Sequence, residues 1–150
     1  SPVGLLEISA DENSITALNF CHERKQKENP SSLTKECAAQ LKDFFAGRRK
    51  DFSLKLNPSG TDFQIQVWNE LQKIPFGKTI SYLELARRLG DEKKIRAAGT
   101  ANGRNPIPII IPCHRVIGSD GSLVGYGGGL PKKKWLLEFE SGIKQTQLAL

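Results

Sequence analysis

A chain of 150 residues can bury a real core without covalent staples, so one domain, or a small domain joined to another, is the expected plan. Its 22 Lys and Arg against 16 Asp and Glu give a formal net charge of +6, which favours polyanions without making the whole surface basic. Three cysteines, none in a Cys-x-x-Cys pair, leave an odd thiol and argue for a reducing compartment rather than a disulfide framework.

Ser1-Pro2-Val3-Gly4 lacks the positive region and apolar run of a secretory signal, and no stretch reaches the ~20 apolar residues of a spanning helix. A soluble intracellular protein is expected. Leu5 to Ala10 and Ile15 to Phe20 read as short strands joined by a hairpin around Asp11-Glu12-Asn13-Ser14. The polar run from His22 to Asn29 reads as a solvated loop. Leu33, Cys37, Leu41, Phe44 and Phe45 recur at helical spacing until Gly47, which makes Cys37 a core thiol. Phe52, Leu54 and Leu56 alternate as a strand would. Asn57-Pro58-Ser59-Gly60 is the best internal boundary, so residues 1–56 read as a small N-terminal α/β domain and 57–150 as a second, mostly helical one, an α+β chain overall.

In the second domain Phe63, Val67, Leu71 and Ile74 form a helical stripe, with Thr61 as its cap and Pro75 as its stop. Tyr82, Leu85, Ala86 and Leu89 make a helix ended by Gly90, and Ile95 to Ala101 makes another after a short polar link. The pair is a helix-turn-helix candidate, although many helical domains contain such corners. Ile109-Ile110-Ile111 running into Pro112-Cys113-His114-Arg115-Val116-Ile117 reads as an extended core segment. The glycines between Gly118 and Gly129 permit tight turns or close approach to a ligand. Pro131 opens a final helix through Trp135, Leu136 and Phe139, with Lys132-Lys133-Lys134 as its solvated face; the tail from Ser141 onward carries little pattern.

Cys113 is the residue with chemistry within reach. A nearby base or positive charge raises the thiolate fraction of a cysteine, and His114 and Arg115 follow it directly. An acid to orient the imidazole would come from the last helix, as Glu140 or Glu138. On its neighbours alone Cys113 is either a nucleophile or a buried structural thiol. No second close Cys or His completes a metal site, and Cys21 with His22 is insufficient. Arg96 begins a helix of small residues whose flat face could approach a minor groove, or simply pack closely with the arginine in solvent. Tyr82 suits either the side of an extrahelical base or a half-buried core position. Asn105 can fix its own turn by bonding to local backbone.

Phe63-Gln64, Val67-Trp68, Leu71, Ile74-Pro75 and Gly77, then Tyr82, Arg96-Ala97, Asn105-Pro106, Pro112-Cys113-His114-Arg115-Val116, and Gly125-Tyr126 through Trp135-Leu136-Leu137 to Glu140 follow one another at a particular spacing. In order and spacing they closely resemble the O6-alkylguanine-DNA alkyltransferases, also called methylated-DNA–protein-cysteine methyltransferases. The resemblance covers residues 60–140; the N-terminal region is a looser match to the companion domain of that family. It implies that Cys113 accepts the alkyl group, that His114 is the base acting through a water, and that Glu140 orients and polarises the imidazole. It makes Arg96 the finger inserted into the duplex, and lays the helix bearing Ala97, Thr100 and Gly103 in the minor groove. Tyr82 would assist nucleotide rotation and hydrogen-bond or protonate the base. Asn105 would brace the active-site turn, the Val116 carbonyl would accept from the guanine amino group, and Tyr126 would line the pocket. Gly127 departs from a position often serine in the family, which leaves only a backbone contact there.

The implied reaction is irreversible and single-turnover, on duplex DNA containing O6-alkylguanine, with O4-alkylthymine a further candidate. It needs no cofactor and no metal, and a monomer away from any membrane suffices. The expected location is the cytoplasm or nucleoid, or the nucleus in a eukaryote. A lesion sensor or helix-turn-helix binding module would keep Arg96 and Tyr82 without a reactive thiol; related non-repairing proteins carry tryptophan at the Cys113 position. A cysteine hydrolase would share the Cys, His and acid, but would regenerate Cys113 and have no use for the Arg96 helix.

Overall fold

A computed structural model describes residues 1–24 and 29–142. Half of the expected loop from His22 to Asn29, and nearly all of the tail after Ser141, lie outside the described residues. The chain divides into two compact units, Ser1–Ser59 and Gly60–Leu150.

In the first unit β1 (Leu5–Ala10) pairs antiparallel with β2 (Ile15–Cys21), in a register that sets Ile8 opposite Leu18. Asp11 closes the hairpin: its Oδ1 accepts from the amides of Asn13 at 2.8 Å and Ser14 at 2.7 Å. Helix α1 (Ser32–Phe45) starts from a reciprocal capping box between Ser31 and Thr34. It packs against the hairpin and buries Cys37, Leu41 and Phe44, with Ile15 and Leu18 also buried in this unit.

The strand expected at Phe52–Leu56 does not form. Gln40 of α1 takes both backbone groups of Ser53, donating to its carbonyl at 3.2 Å and accepting from its amide at 3.0 Å. Only Leu56 meets a strand, through one bridge to Ile15. An alternating pattern satisfied by a side chain and by burial thus mimics one satisfied by a ladder.

The second unit opens with α2 (Asp62–Leu71), capped by Thr61 and Gln64 as another reciprocal box. Its buried stripe is Val67, Trp68 and Leu71, and it ends before the expected stop at Pro75 because residues 72–74 tighten into turn hydrogen bonds. The indole of Trp68 donates to the Ala101 carbonyl at 2.9 Å, which ties α2 to α4. After α3 (Tyr82–Arg88), a 3₁₀ turn over Glu92–Lys94 leads into α4 (Ile95–Gly103), one helix-turn-helix corner with its second helix longer than expected. The last helix, α5 (Leu130–Ser141), carries proline in its first turn.

The isoleucine run before Cys113 is buried as expected but is not extended. Ile109 has φ 73°, Ile110 and Ile111 donate back to Pro108 and Ile107 in a tight turn, and Cys113–Arg115 then forms a 3₁₀ turn. The closely spaced prolines at 106, 108 and 112 remove the donors that a strand would need. Only Val116–Ile117 (β4) is strand, pairing parallel with β3 (Ile80–Ser81) across a separation no local pattern reveals. Among the described residues no helix is long and apolar enough to cross a membrane.

Candidate active site

Cys113 opens the 3₁₀ turn that follows the isoleucine bend, and it is only 5% exposed. Its amide donates to the Ile111 carbonyl at 2.8 Å, and its own carbonyl accepts from Asn102 of α4 at 3.3 Å. Asn105 holds the approach from both sides: Nδ2 donates to the Ile111 carbonyl at 2.7 Å and Oδ1 accepts from the Ile107 amide at 3.0 Å. The turn is therefore braced by side chains where the prolines leave it without ladder bonds.

Burial pushes the Cys113 thiol up to about 11, against the lowering pull of Asn105, Lys133 and the amides of Cys113 and His114. Burial thus works against the thiolate that its neighbours in sequence would favour. The reason is geometric. Arg115 spends its charge on Glu140, at 2.7 Å (Nε to Oε1) and 2.9 Å (Nη2 to Oε2), while its Nη1 donates to the Ile74 carbonyl at 2.6 Å.

His114 is fully buried, and its Nε2 lies 2.7 Å from Glu140 Oε2. Burial lowers its pKa although the carboxylate opposes this, so the imidazole is neutral. A neutral ring facing a carboxylate through Nε2 carries its proton there and leaves a lone pair on Nδ1. Nδ1 has no protein hydrogen-bond partner among the described residues. Glu140 itself is desolvated, yet its bonds to His114 and Arg115 hold it down at about 2. Of the two acids left open on α5, Glu140 is the one that meets the imidazole.

Around this core the loop between β4 and α5 closes on one cation. Lys133 is fully buried and donates through Nζ to the carbonyls of Val116 at 2.7 Å, Val124 at 3.1 Å and Gly125 at 3.3 Å, with the Tyr82 hydroxyl at 3.4 Å. Tyr82, at the start of α3, donates to the Val124 carbonyl at 2.7 Å, and burial raises its pKa with Cys113 adding to the effect. Tyr126 is raised well above the ordinary phenol range, chiefly by burial and then by Cys113 and Glu140. Gly127 has open space where a side chain would stand.

Cys113, His114, Glu140, Asn105, Val116, Tyr82 and Tyr126 thus converge on one place. Arg96, Ala97, Thr100 and Gly103 do not join them: they are exposed along the opposite side of α4 from buried Ala98, Ala101 and Asn102. Arg96 makes no hydrogen bond or ion pair among the described residues. Gly99 of α4 lies beside the Tyr82 ring, where a Cβ would sit in ordinary van der Waals contact at 3.6 Å.

Sequence reasoning missed Lys133 and Arg115. Lys133 was expected on the solvated face of α5, as part of a lysine run. Its spacing carried the signal: Lys133, Leu136 and Glu140 stand at i, i+3 and i+7, and all three are buried. Arg115 was read only as a charge beside Cys113, and its pairing with Glu140 spans 25 residues of sequence.

Two family models match the chain. Residues 1–58 match the ribonuclease-like domain of 6-O-methylguanine DNA methyltransferase, and residues 62–142 match its DNA-binding domain. A methylated-DNA–protein-cysteine methyltransferase of Methanosarcina acetivorans is 46% identical over 146 aligned residues, covering 93% of this chain and 94% of that protein. The same-named protein of Mycolicibacterium paratuberculosis is 41% identical, covering 100% and 94%. Among solved structures, Mycobacterium tuberculosis OGT in complex with DNA superposes with a TM-score of 0.87 at 42% identity, covering 95% of this chain and 89% of that one. An O6-methylguanine DNA methyltransferase from Methanococcus jannaschii gives 0.69 at 28% identity, covering 97% and 92%.

Proposed function

The chain belongs to the O6-alkylguanine-DNA alkyltransferases, the methylated-DNA–protein-cysteine methyltransferases, and from that premise we propose that Cys113 is the acceptor cysteine, His114 its base and Glu140 the group that orients the base. The activity is direct reversal of DNA alkylation, in which an alkyl group passes to a cysteine of the protein and the protein is consumed. The observation that supports the residue assignment is the buried His114–Glu140 pair, 2.7 Å apart, directly after the buried Cys113 in the chain. A thiol held up at about 11 needs a base at the moment of reaction, and a neutral imidazole with an open Nδ1 can accept the proton through one water.

Sulfur then attacks the alkyl carbon in line. The new S–C bond forms as the C–O6 bond breaks, the bonding pair returns to the guanine, and the thiol proton has passed to His114. The product is a thioether, which has no hydrolytic route back. Tyr82 keeps its proton through its raised pKa and is a donor to the base; the Val116 carbonyl, already polarised by Lys133, is an acceptor for the guanine amino group.

The partner is duplex DNA containing O6-alkylguanine, contacted by the exposed Arg96, Ala97, Thr100 and Gly103 face of α4. Extrusion of the lesion costs on the order of a few kcal/mol, which the Arg96 side chain offsets by filling the stack. Residues 1–56 act as the companion domain and 57–150 carry the chemistry. The same reading puts the protein with its DNA, in the cytoplasm or nucleoid, or in a eukaryotic nucleus. The test is Cys113→Ser. It should bind lesion-containing duplex within about threefold of the unmodified protein yet transfer nothing, since a serine hydroxyl is a far weaker nucleophile. Retained transfer in that variant would remove Cys113 as acceptor.

A further inference from the structure

Both oxygens of Glu140 are committed to Arg115 as well as to His114. Oε1 accepts from Arg115 Nε at 2.7 Å; Oε2 accepts from Arg115 Nη2 at 2.9 Å and from His114 Nε2 at 2.7 Å. The side chains of Glu140, Arg115 and His114 are 1%, 6% and 0% exposed. Arg115 is itself held, by its bond to the Ile74 carbonyl and by the Phe76 ring 5.8 Å from its guanidinium carbon. The Gly77 amide adds a long contact to Oε1 at 3.4 Å.

A buried carboxylate with no other cation beside it favours a second proton on a facing imidazole, because an imidazolium compensates the buried negative charge. A fork-on-fork arginine removes that demand. We propose that Arg115 is a positioning residue for the transfer reaction: by neutralising Glu140 it keeps His114 an uncharged imidazole, its proton on Nε2 and its lone pair on Nδ1. This rests on His114 being the base, since only an uncharged ring can accept the thiol proton. The other charged group acting on the ring is Lys133 from α5, in the same direction as Arg115; Tyr126 acts with Glu140 and Cys113.

The sign follows directly. Removing the guanidinium charge leaves Glu140 to act on His114 alone, so the imidazole pKa rises and the ring is charged at a pH where it was neutral. The experiment combines imidazole nitrogen NMR of the unreacted protein with transfer rates to free O6-benzylguanine, a probe that needs no DNA. With two histidines in the chain, His22 serves as internal reference.

In the unmodified protein His114 should stay a neutral Nε2–H ring from about pH 8 down to about pH 6. In Arg115→Gln it should protonate inside that range, and the rate relative to the unmodified protein should fall by about a further tenfold between those limits, one pKa unit being one decade. Arg115→Lys, which restores the charge, should bring the ratio back towards a constant. A cationic His114 in the unmodified protein at neutral pH would overturn the proposal without need of any variant. So would an Arg115→Gln protein whose rate falls by the same factor at every pH with the His114 titration unmoved, which is what a merely structural arginine gives. His114→Asn transferring at the unmodified rate would instead remove His114 as base, whatever the protonation of its ring.

Discussion

Cys113 sits where solvent hardly reaches, and that single fact inverts the simplest idea of how it reacts. Exposed reactive cysteines are ionised at rest; this one is held as a thiol, pushed up to about 11 by burial. In the proposed mechanism its ionisation therefore depends on His114 as base, a ring that burial favours in its neutral form. The same buried groups set the response of the fold to acid. Glu140 lies at about 2 against an ordinary 4.5, so its contribution is full above about pH 4.5 and is lost as pH falls towards 2. His114 is lowered by burial, so the unfolded chain takes up its proton first and stability falls as pH drops below the ordinary 6.5. Both act in one direction. Thermal melts followed by circular dichroism should show Tm declining from near-neutral pH downward and most steeply below about pH 4.5, with the steep part flattened in Glu140→Gln. A Tm unchanged between neutral pH and about pH 3 would contradict a buried, ionised Glu140.

At the scale of elements, helices were the legible part. Period and caps located α1, α2, α3, α4 and α5, because a helix satisfies its backbone locally and writes its buried face into spacing. What the sequence did not reveal were structures whose backbone partners come from elsewhere: the two-residue pairing of Ile80–Ser81 with Val116–Ile117, the Ser53 backbone held by Gln40, and the bend at Ile109. The helix α4 shows the use of this division. Its buried side carries Ala98, Ala101 and Asn102, of which Asn102 donates to the Cys113 carbonyl, and its exposed side carries Arg96, Ala97, Thr100 and Gly103, the face proposed to meet DNA. Arg96→Ala should therefore slow repair of O6-methylguanine in duplex DNA by about tenfold or more, a loss of the few kcal/mol scale of base extrusion. Reaction with free O6-benzylguanine should change by less than about twofold, because no stack has to be refilled. Equal losses on both substrates, measured as second-order rate constants, would refute the role.

For the whole molecule, the family resemblance carried more of the site than composition did. A net charge of +6 and an odd cysteine narrow the class and name no residue. The Pro112–Val116 motif with the ordered positions on either side pointed to Cys113, His114 and Glu140 as candidate nucleophile, base and acid; it gave no part to Lys133 and none to its own Arg115, whose burial depends on the fold that the motif only implies. The second unit gathers Tyr82 from α3, Asn102 from α4, Cys113 and His114 from the turn before β4, and Lys133 and Glu140 from α5. The most direct measurement is mass mapping of the peptides after incubating the protein with an excess of O6-methylguanine duplex. One methyl per chain, confined to the peptide containing Cys113 and absent from those containing Cys21 and Cys37, is the result expected. Unmodified Cys113 beside an intact lesion, a methyl on another cysteine, or repair of many lesions by each chain would contradict it.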